Sequence, residues 1–263
     1  MKVSIVLSYI NRKKLFYETL KSIEKTKHND FEVIAVDDCS TPEERIEEFM
    51  TEFPFLKVIR LEPENKWYHN TCVQYNIGIQ AVQGDIIILQ NAECLHVHDI
   101  ISYMNEKIND SNYISASAYG LDPVGTSQLP EHRGSDTLSS FFSSLPQRPY
   151  TGGDNPGWYN HSRFRPVFFH FCSAISRSNM EKLGGFDERY AHGTAYEDNE
   201  IIMRIRRLGL KMSIADDVSV IHQWHATCQY NHPNNAELTE RNRKLFVNVT
   251  CNERTYKAHR MIS

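Results

Sequence analysis

Three acidic groups punctuate the chain: Asp37-Asp38, Glu93 within Asn91-Ala92-Glu93, and Glu197-Asp198; His222 and His225 stand three apart beyond them. Each acidic group closes an apolar run or opens a helical one. Hard divalent cations take carboxylate oxygens and tolerate water and an imidazole in the same shell. A phosphorylated or nucleotide ligand would complete such a shell. Each group also has a plainer reading. Asp37-Asp38-Cys39-Ser40 fits a turn ahead of a helix. Glu197 and Asp198 fit first-turn acids that complement a helix dipole. His222 fits a hydrogen-bonded core histidine, and histidine pairs at this spacing bind metal in a minority of proteins.

For these groups to meet, strand ends must share an edge. Ile86-Ile87-Ile88-Leu89 is an unbroken apolar run that ends in Gln90, Asn91 and Glu93. Such a run marks a strand buried on both faces, and an open α/β sheet binds ligands at the carboxyl ends of its strands. The same texture predicts strands at Val3 to Leu7, Phe31 to Val36, Leu56 to Leu61 and Tyr113 to Tyr119. Between them Leu15, Phe16, Thr19, Leu20 and Ile23 recur at helical spacing, as do Ile100, Ile101, Met104 and Ile108. Thr41-Pro42-Glu43-Glu44 reads as a helix start. Residues 70–83 read as a helix, with Gly78 costing about 1 kcal/mol against alanine. Strand and helix alternate through residue 119, the pattern of a mostly parallel sheet with helices on both faces.

The texture changes at Gly120. Residues 120–166 are rich in proline and glycine without a period and carry Tyr150, Trp158 and Tyr159. This long loop is expected to be an active-site flap or acceptor-recognition segment, or equally a surface insertion. A strand is expected from Val167 to Ile175 and a short helix from Asn179 to Leu183, stopped by Gly184-Gly185. A helix follows Glu197-Asp198. Lys211 to Ala215 and Val218 to Ile221 read as two short strands, and residues 236–246 as a last helical stretch.

The chain has 263 residues, 40% apolar and 24% charged, with a net charge of −4. That balance argues against a nucleic-acid partner. No apolar run approaches the roughly 20 residues that span a bilayer. Val3 to Leu7 is too short for a signal sequence and is followed by Asn11-Arg12-Lys13-Lys14, so a cytoplasmic location, at most peripheral to a membrane, is expected. Cysteines 39, 72, 94, 172, 228 and 251 lie far apart. They are expected to be buried free thiols rather than a zinc ribbon or disulfide framework. No G-x-S-x-G, P-loop or G-x-G-x-x-G occurs, which weighs against hydrolase, NTPase and dinucleotide chemistry.

Taken in order, the motifs resemble those of the inverting nucleotide-sugar glycosyltransferases of family two, which have the GT-A fold. Residues 3–12 resemble their opening strand and loop. Val36-Asp37-Asp38-Cys39-Ser40 resembles "VDDGS". Asn76-Ile77-Gly78-Ile79 with Gly84-Asp85 resembles the "RNxGI" helix and strand entry. Leu183-Gly184-Gly185-Phe186-Asp187-Glu188 resembles "GGFDE", and Glu197-Asp198 with Arg204 to Gly209 resembles "ED…RLRxxG".

The resemblance implies a donor-binding half at residues 1–119 and an acceptor-binding half with the base at 120–263, in one continuous domain. It implies that Asp38 binds the nucleotide base, that Ser8, Tyr9, Asn11 and Arg12 cradle it, and that Lys66, Asn76 and Asn91 belong to the donor site. It implies Mn²⁺ or Mg²⁺ on the diphosphate, held by Glu93, Asn91 and His222, with His225 second to His222. Asn91 replaces an aspartate and offers a neutral oxygen. Asp198 becomes the catalytic base, with Glu197 beside it. The implied partners are a UDP-sugar donor and an unidentified glycan, lipid-linked or protein acceptor. The alternative is a non-catalytic GT-A module that binds a nucleotide or a partner.

Overall fold

The computed structural model describes residues 1–132, 134–226 and 233–261. The strands are β1 (Val3–Tyr9), β2 (Phe31–Asp38), β3 (Leu56–Leu61), β4 (Ile86–Asn91), β5 (Cys94–His96), β6 (Asn112–Gly120), β7 (Gly157–Asn160), β8 (Cys172–Ser176) and β9 (Lys211–His222). They form one sheet in the order β3-β2-β1-β4-β8-β6-β9-β5, with β7 added to β6. The pairs β1–β2, β1–β4, β2–β3 and β6–β9 are parallel. β8 is antiparallel to both β4 and β6, and β5 is antiparallel to β9. Hence β1, β2, β3, β4, β6 and β9 run one way, and their carboxyl ends share an edge.

The helices are α1 (Lys13–Ile23), α2 (Phe49–Glu52), α3 (Cys72–Gln80), α4 (Ile100–Lys107), α5 (Pro123–Gln128), α6 (Ser135–Ser144), α7 (Arg177–Leu183), α8 (Glu197–Leu208) and α9 (Asn235–Asn252). The pleat explains why they cover both faces. Val3, Ile5 and Leu7 of β1 and Ile86 and Ile88 of β4 pack with residues of α1 and α4. Val6, Ile87 and Leu89 point the other way and pack with α3, α7 and α8. Successive side chains of a strand alternate between faces. An interior strand covered on both sides therefore needs an unbroken apolar run. No described helix is long and apolar enough to cross a membrane.

Four expectations change. Residues 120–166 are not a structureless loop: their described residues include α5, α6 and β7. Leu121, Leu129, Leu138 and Trp158 form a small satellite core with Tyr119 and Ile221. The apolar residues that make this core are scattered without a period, so only the packed fold reveals them. The Thr41-Pro42 start yields a single 3-10 turn, Pro42–Glu44, rather than a helix. Arg45, directly after it, adopts an extended conformation. The two short strands after Lys211 are one strand whose register to β6 slips between Ala116 and Ser117, opposite Ala215 and Ser219. β8 begins only at Cys172, because Phe168 has φ +64° and turns the chain first. Cys72, Cys94 and Cys172 are buried free thiols, Cys39 is partly buried and Cys251 is exposed; Cys228 lies outside the described residues.

Candidate active site

A cavity of about 560 Å³ opens along the shared carboxyl edge. It is lined by Ser8, Arg12, Asp38, Lys66, Asn91, Glu93, Glu197, Asp198, His222 and His225, residues drawn from both ends of the chain. The ends of β1, β2, β4 and β9 bring most of them there. The first turn of α8 brings the remaining acids.

At one end of the cavity Asp38 is held by two donors. Tyr68 Oη donates to Oδ1 at 2.8 Å and Lys66 Nζ to Oδ2 at 2.7 Å. Burial first and the Asp38 charge second push the Tyr68 phenol up, so it stays a donor.

The link between β4 and β5 places Glu93. Cys94 pairs with His222 across β5 and β9, so the imidazole falls beside the carboxylate. The Gln223 backbone N–H and side-chain amide both donate to the Glu93 carbonyl, at 3.2 and 3.0 Å. His222 Nε2 and His225 Nε2 lie 3.0 and 3.1 Å from Glu93 Oε1. Arg12 Nη1 reaches Oε2 at 2.8 Å. Burial would raise the Glu93 carboxyl, but Arg12 and His222, with His225, outweigh it and hold it well below the usual carboxylate range. One ligand atom each from Glu93, His222 and His225 lies within 4.8 Å of the others. His222 Nδ1 is buried and has no hydrogen-bond partner among the described residues. A carboxylate with two imidazoles is a donor set that suits a divalent ion, Mn²⁺ more readily than Mg²⁺. These residues fit a metal.

The acids of α8 follow a strained turn. Ala195 and Tyr196 have φ +59° and +70°, a region unfavourable for residues with a β-carbon. The turn is clamped: Asn242 of α9 donates to the carbonyls of Tyr190 and Ala195 at 2.9 and 3.0 Å. Asn70 donates to Glu197 Oε2 at 2.6 Å and to the Ala195 carbonyl at 3.3 Å. Burial, then the neighbouring Asp198 charge, push the Glu197 carboxyl up. Asp198 remains partly open to the cavity and touches His170.

Three expected site residues stand away from the cavity. The pleat that turns Ser8 toward it turns Tyr9 into the α1 core, where its ring meets Phe16 and its hydroxyl donates to the Glu44 carbonyl at 2.6 Å. Asn11 ties two loops together: its N–H donates to Ser40 Oγ at 3.0 Å and its Oδ1 accepts from the Thr41 N–H at 2.9 Å. Asn76 is buried on α3. It accepts from the Phe186 N–H at 2.8 Å and donates to the Phe186 carbonyl and Glu188, each at 2.9 Å. It anchors the loop after α7. Lys66 lines the cavity, with its ammonium on Asp38.

Sequence reasoning missed Tyr68, Asn70 and His170, which also line the cavity, as do Tyr150 and Tyr159 of the segment expected to be a flap. A histidine inside the aromatic run Phe168 to Phe171 was the available signal for His170. Tyr159 comes from β7 and packs on His222 at 4.9 Å, with Tyr150 against it at 4.3 Å. A β-carbon on Gly120 would lie 2.2 Å from the Tyr159 ring, so glycine there gives the ring its place.

A curled, mostly parallel sheet with this architecture is the GT-A fold of glycosyltransferases. The model of the family described as glycosyl transferase family 2 matches residues 4–184, and the chain belongs to that family. Among curated relatives it is similar to the uncharacterized glycosyltransferase YfnE of Bacillus subtilis, 22% identical over 86% of this chain and 65% of that protein. It is 25% identical to the O-antigen biosynthesis protein RfbC of Myxococcus xanthus, over 86% of this chain and 18% of that protein. The chain thus spans less than two thirds of the length of these relatives. Among solved structures, S. aureus TarS in complex with UDP-GlcNAc has a TM-score of 0.62 at 16% identity, covering 96% of this chain and 68% of that one. The mannosyltransferase PcManGT of Pyrobaculum calidifontis, in complex with GDP-Man and Mn²⁺, has a TM-score of 0.55 at 16% identity, covering 94% and 64%.

Proposed function

We propose that this chain transfers a sugar from a nucleotide-sugar donor, a UDP-sugar, to an acceptor hydroxyl with inversion at the anomeric carbon. The observation that carries the reading is one cavity lined by Asp38, by the Glu93, His222 and His225 cluster, and by Asp198. Two fold relatives carry such donors, UDP-GlcNAc in one and GDP-Man with Mn²⁺ in the other.

Asp38, aimed by Tyr68 and Lys66, accepts from the imide N–H of the base. Ser8 and Arg12 line the way to the diphosphate. Glu93 and His222, with His225 and the neutral oxygen of Asn91, would hold Mn²⁺ or Mg²⁺. A bound divalent ion supplies charge neutralisation at the departing diphosphate. Asp198 takes the proton of the acceptor hydroxyl as it attacks. Glu197, partly buried and held by Asn70, keeps the first turn of α8 in place behind it.

The test is a panel of UDP- and GDP-sugars with Mn²⁺, scoring transfer and slow hydrolysis, on wild type and Asp198→Asn. The wild type turns over a UDP-sugar, and D198N loses at least 100-fold in kcat while still binding UDP. Full activity of D198N overturns the role of Asp198. Metal-dependent UDP binding with no turnover of any donor would instead identify a non-catalytic nucleotide-binding module.

A further inference from the structure

Asp198 meets the cavity with one carboxylate oxygen committed. Its Oδ1 accepts from the His170 backbone N–H at 3.4 Å and lies in ion-pair contact with His170 Nδ1, a buried atom with no aligned hydrogen-bond partner among the described residues. No described residue bonds Oδ2. The His170 ring is 5% exposed and cannot swing. Tyr75 meets it edge-on at 4.6 Å and Phe186 at 5.2 Å. Those two rings stack on each other at 5.1 Å, and the Tyr75 hydroxyl donates to the Gln90 carbonyl at 3.0 Å. The imidazole is therefore braced against the end of β4, the strand that carries Asn91 and leads to Glu93.

We propose that His170 is the positioning residue of the base: its Nδ1–H ties Asp198 Oδ1 and leaves Oδ2 as the oxygen that receives the acceptor proton. The inference rests on Asp198 being the base. In the step it serves, the acceptor O–H bond breaks and its proton goes to Oδ2. The acceptor oxygen bonds the anomeric carbon, and the bond from that carbon to the diphosphate breaks with its electron pair. His170 keeps its Nδ1 proton throughout. The charged groups that face it are Asp198 and Glu197, both from α8; from α3 it meets Tyr75, whose hydroxyl is engaged elsewhere. Burial disfavours the imidazolium, but Asp198 and then Glu197 raise its hold on the proton above that of a free histidine. A rigid donor matters because a small misplacement of a reacting group can cost about 100-fold in rate.

The experiment uses His170→Ala, His170→Gln and Asp198→Asn, with the UDP-sugar that the wild type turns over. H170A should lose about 10- to 100-fold in kcat, with KM for donor and acceptor within about twofold. The acid limb of its kcat profile should move to higher pH, since a carboxylate that loses a donating, cationic neighbour is protonated more readily. H170Q, whose amide can donate to Oδ1, should recover part of the rate. ¹⁵N-imidazole NMR should show His170 holding its proton to higher pH in wild type than in D198N. Wild-type kcat and an unmoved acid limb in H170A overturn the inference. So does a His170 titration that D198N leaves unchanged. If H170A does not fold, H170Q decides by the same limb. Activity retained by D198N removes the base itself; an inactive D198N beside an unaffected H170A removes only the role given to His170.

Discussion

Arg12 Nη1 donates to Glu93 Oε2 at 2.8 Å, while the imidazoles of His222 and His225 approach the other oxygen, Oε1, at 3.0 and 3.1 Å. One buried carboxylate thus meets a guanidinium at one oxygen and two imidazoles at the other. Glu93→Gln keeps the shape and removes the charge. Removing one partner of a buried pair costs about 3–5 kcal/mol. Arg12 is partly exposed, so the low end or less is expected here. The sharper outcome concerns metal. Mn²⁺ at 100 times its Kd should stabilise the wild type by about 2.7 kcal/mol and E93Q by almost nothing. Thermal melting with and without Mn²⁺ checks this. An equal shift in both proteins would remove Glu93 from the metal site.

His96 gives the acid side of the stability curve. It is fully buried, with Nε2 at 2.8 Å from Gln90 Oε1, and burial pushes its imidazole down to about 3. The unfolded chain takes this proton below its ordinary pKa of about 6.5, and the folded chain refuses it. The contribution is therefore fully present above pH 6.5 and is lost as pH falls toward 3. Between pH 6.5 and 5 this one group should cost about 2 kcal/mol. Urea unfolding at pH 6.5 and 5 should show that decline in wild type and a flatter one in His96→Gln. His170, whose hold on its proton is raised, acts in the opposite sense: its contribution is complete below pH 6.5 and lost above. It leaves this window undisturbed.

Gly78 sits where α3 crosses the sheet. A β-carbon there would lie 2.4 Å from Val6 Cγ1 and 3.2 Å from Val36 Cγ2. Gly78→Ala gains about 1 kcal/mol of helix propensity but overpacks a closed contact, at about 1–3 kcal/mol. Net destabilisation is expected, and G78A combined with Val6→Ala should be more stable than the sum of the single changes. Additive chemical-denaturation energies would show that the contact is not the cause.

Asn242 holds the turn before α8 from outside the segment that matches the family model, which ends at residue 184. Asn242→Ala leaves the Tyr190 carbonyl without this donor and the Ala195 carbonyl with only Asn70. Neither carbonyl is left unpaired, since the Gly193 N–H still donates to Tyr190 at 3.1 Å, so each lost hydrogen bond costs about 1 kcal/mol. Lower stability and a fall in kcat are expected together, because Ala195 and Tyr196 lose the clamp that keeps them at positive φ. Asn242→Asp, which cannot donate, should behave like the alanine variant. Unchanged melting and kcat in both variants would show that the clamp is dispensable.

The sequence by itself determined the alternating sheet-and-helix order through residue 119 and the acids at its strand ends. Apolar periodicity and short motifs are properties of neighbouring residues, and local backbone geometry translates them directly. It also put Asp38 and Glu93 at strand ends of one parallel sheet, while His222 joined them only through the resemblance to family two. Only the tertiary structure decided which side chains look into the cavity. Ser8 and Tyr9 are adjacent, and the pleat sends them to opposite faces. Asn76 carries a site-like motif yet its partners, Phe186 and Glu188, come from a loop 110 and 112 residues away. His170 meets Asp198 28 residues on, and Asn242 reaches Ala195 47 residues back. Residues 120–166 show no period because their apolar groups pack on Tyr119 and Ile221 rather than on one another's helix face. Partners chosen by long-range packing leave no spacing in the chain, which is why the clamp on the acids and the brace on His170 emerge only when the sheet is closed.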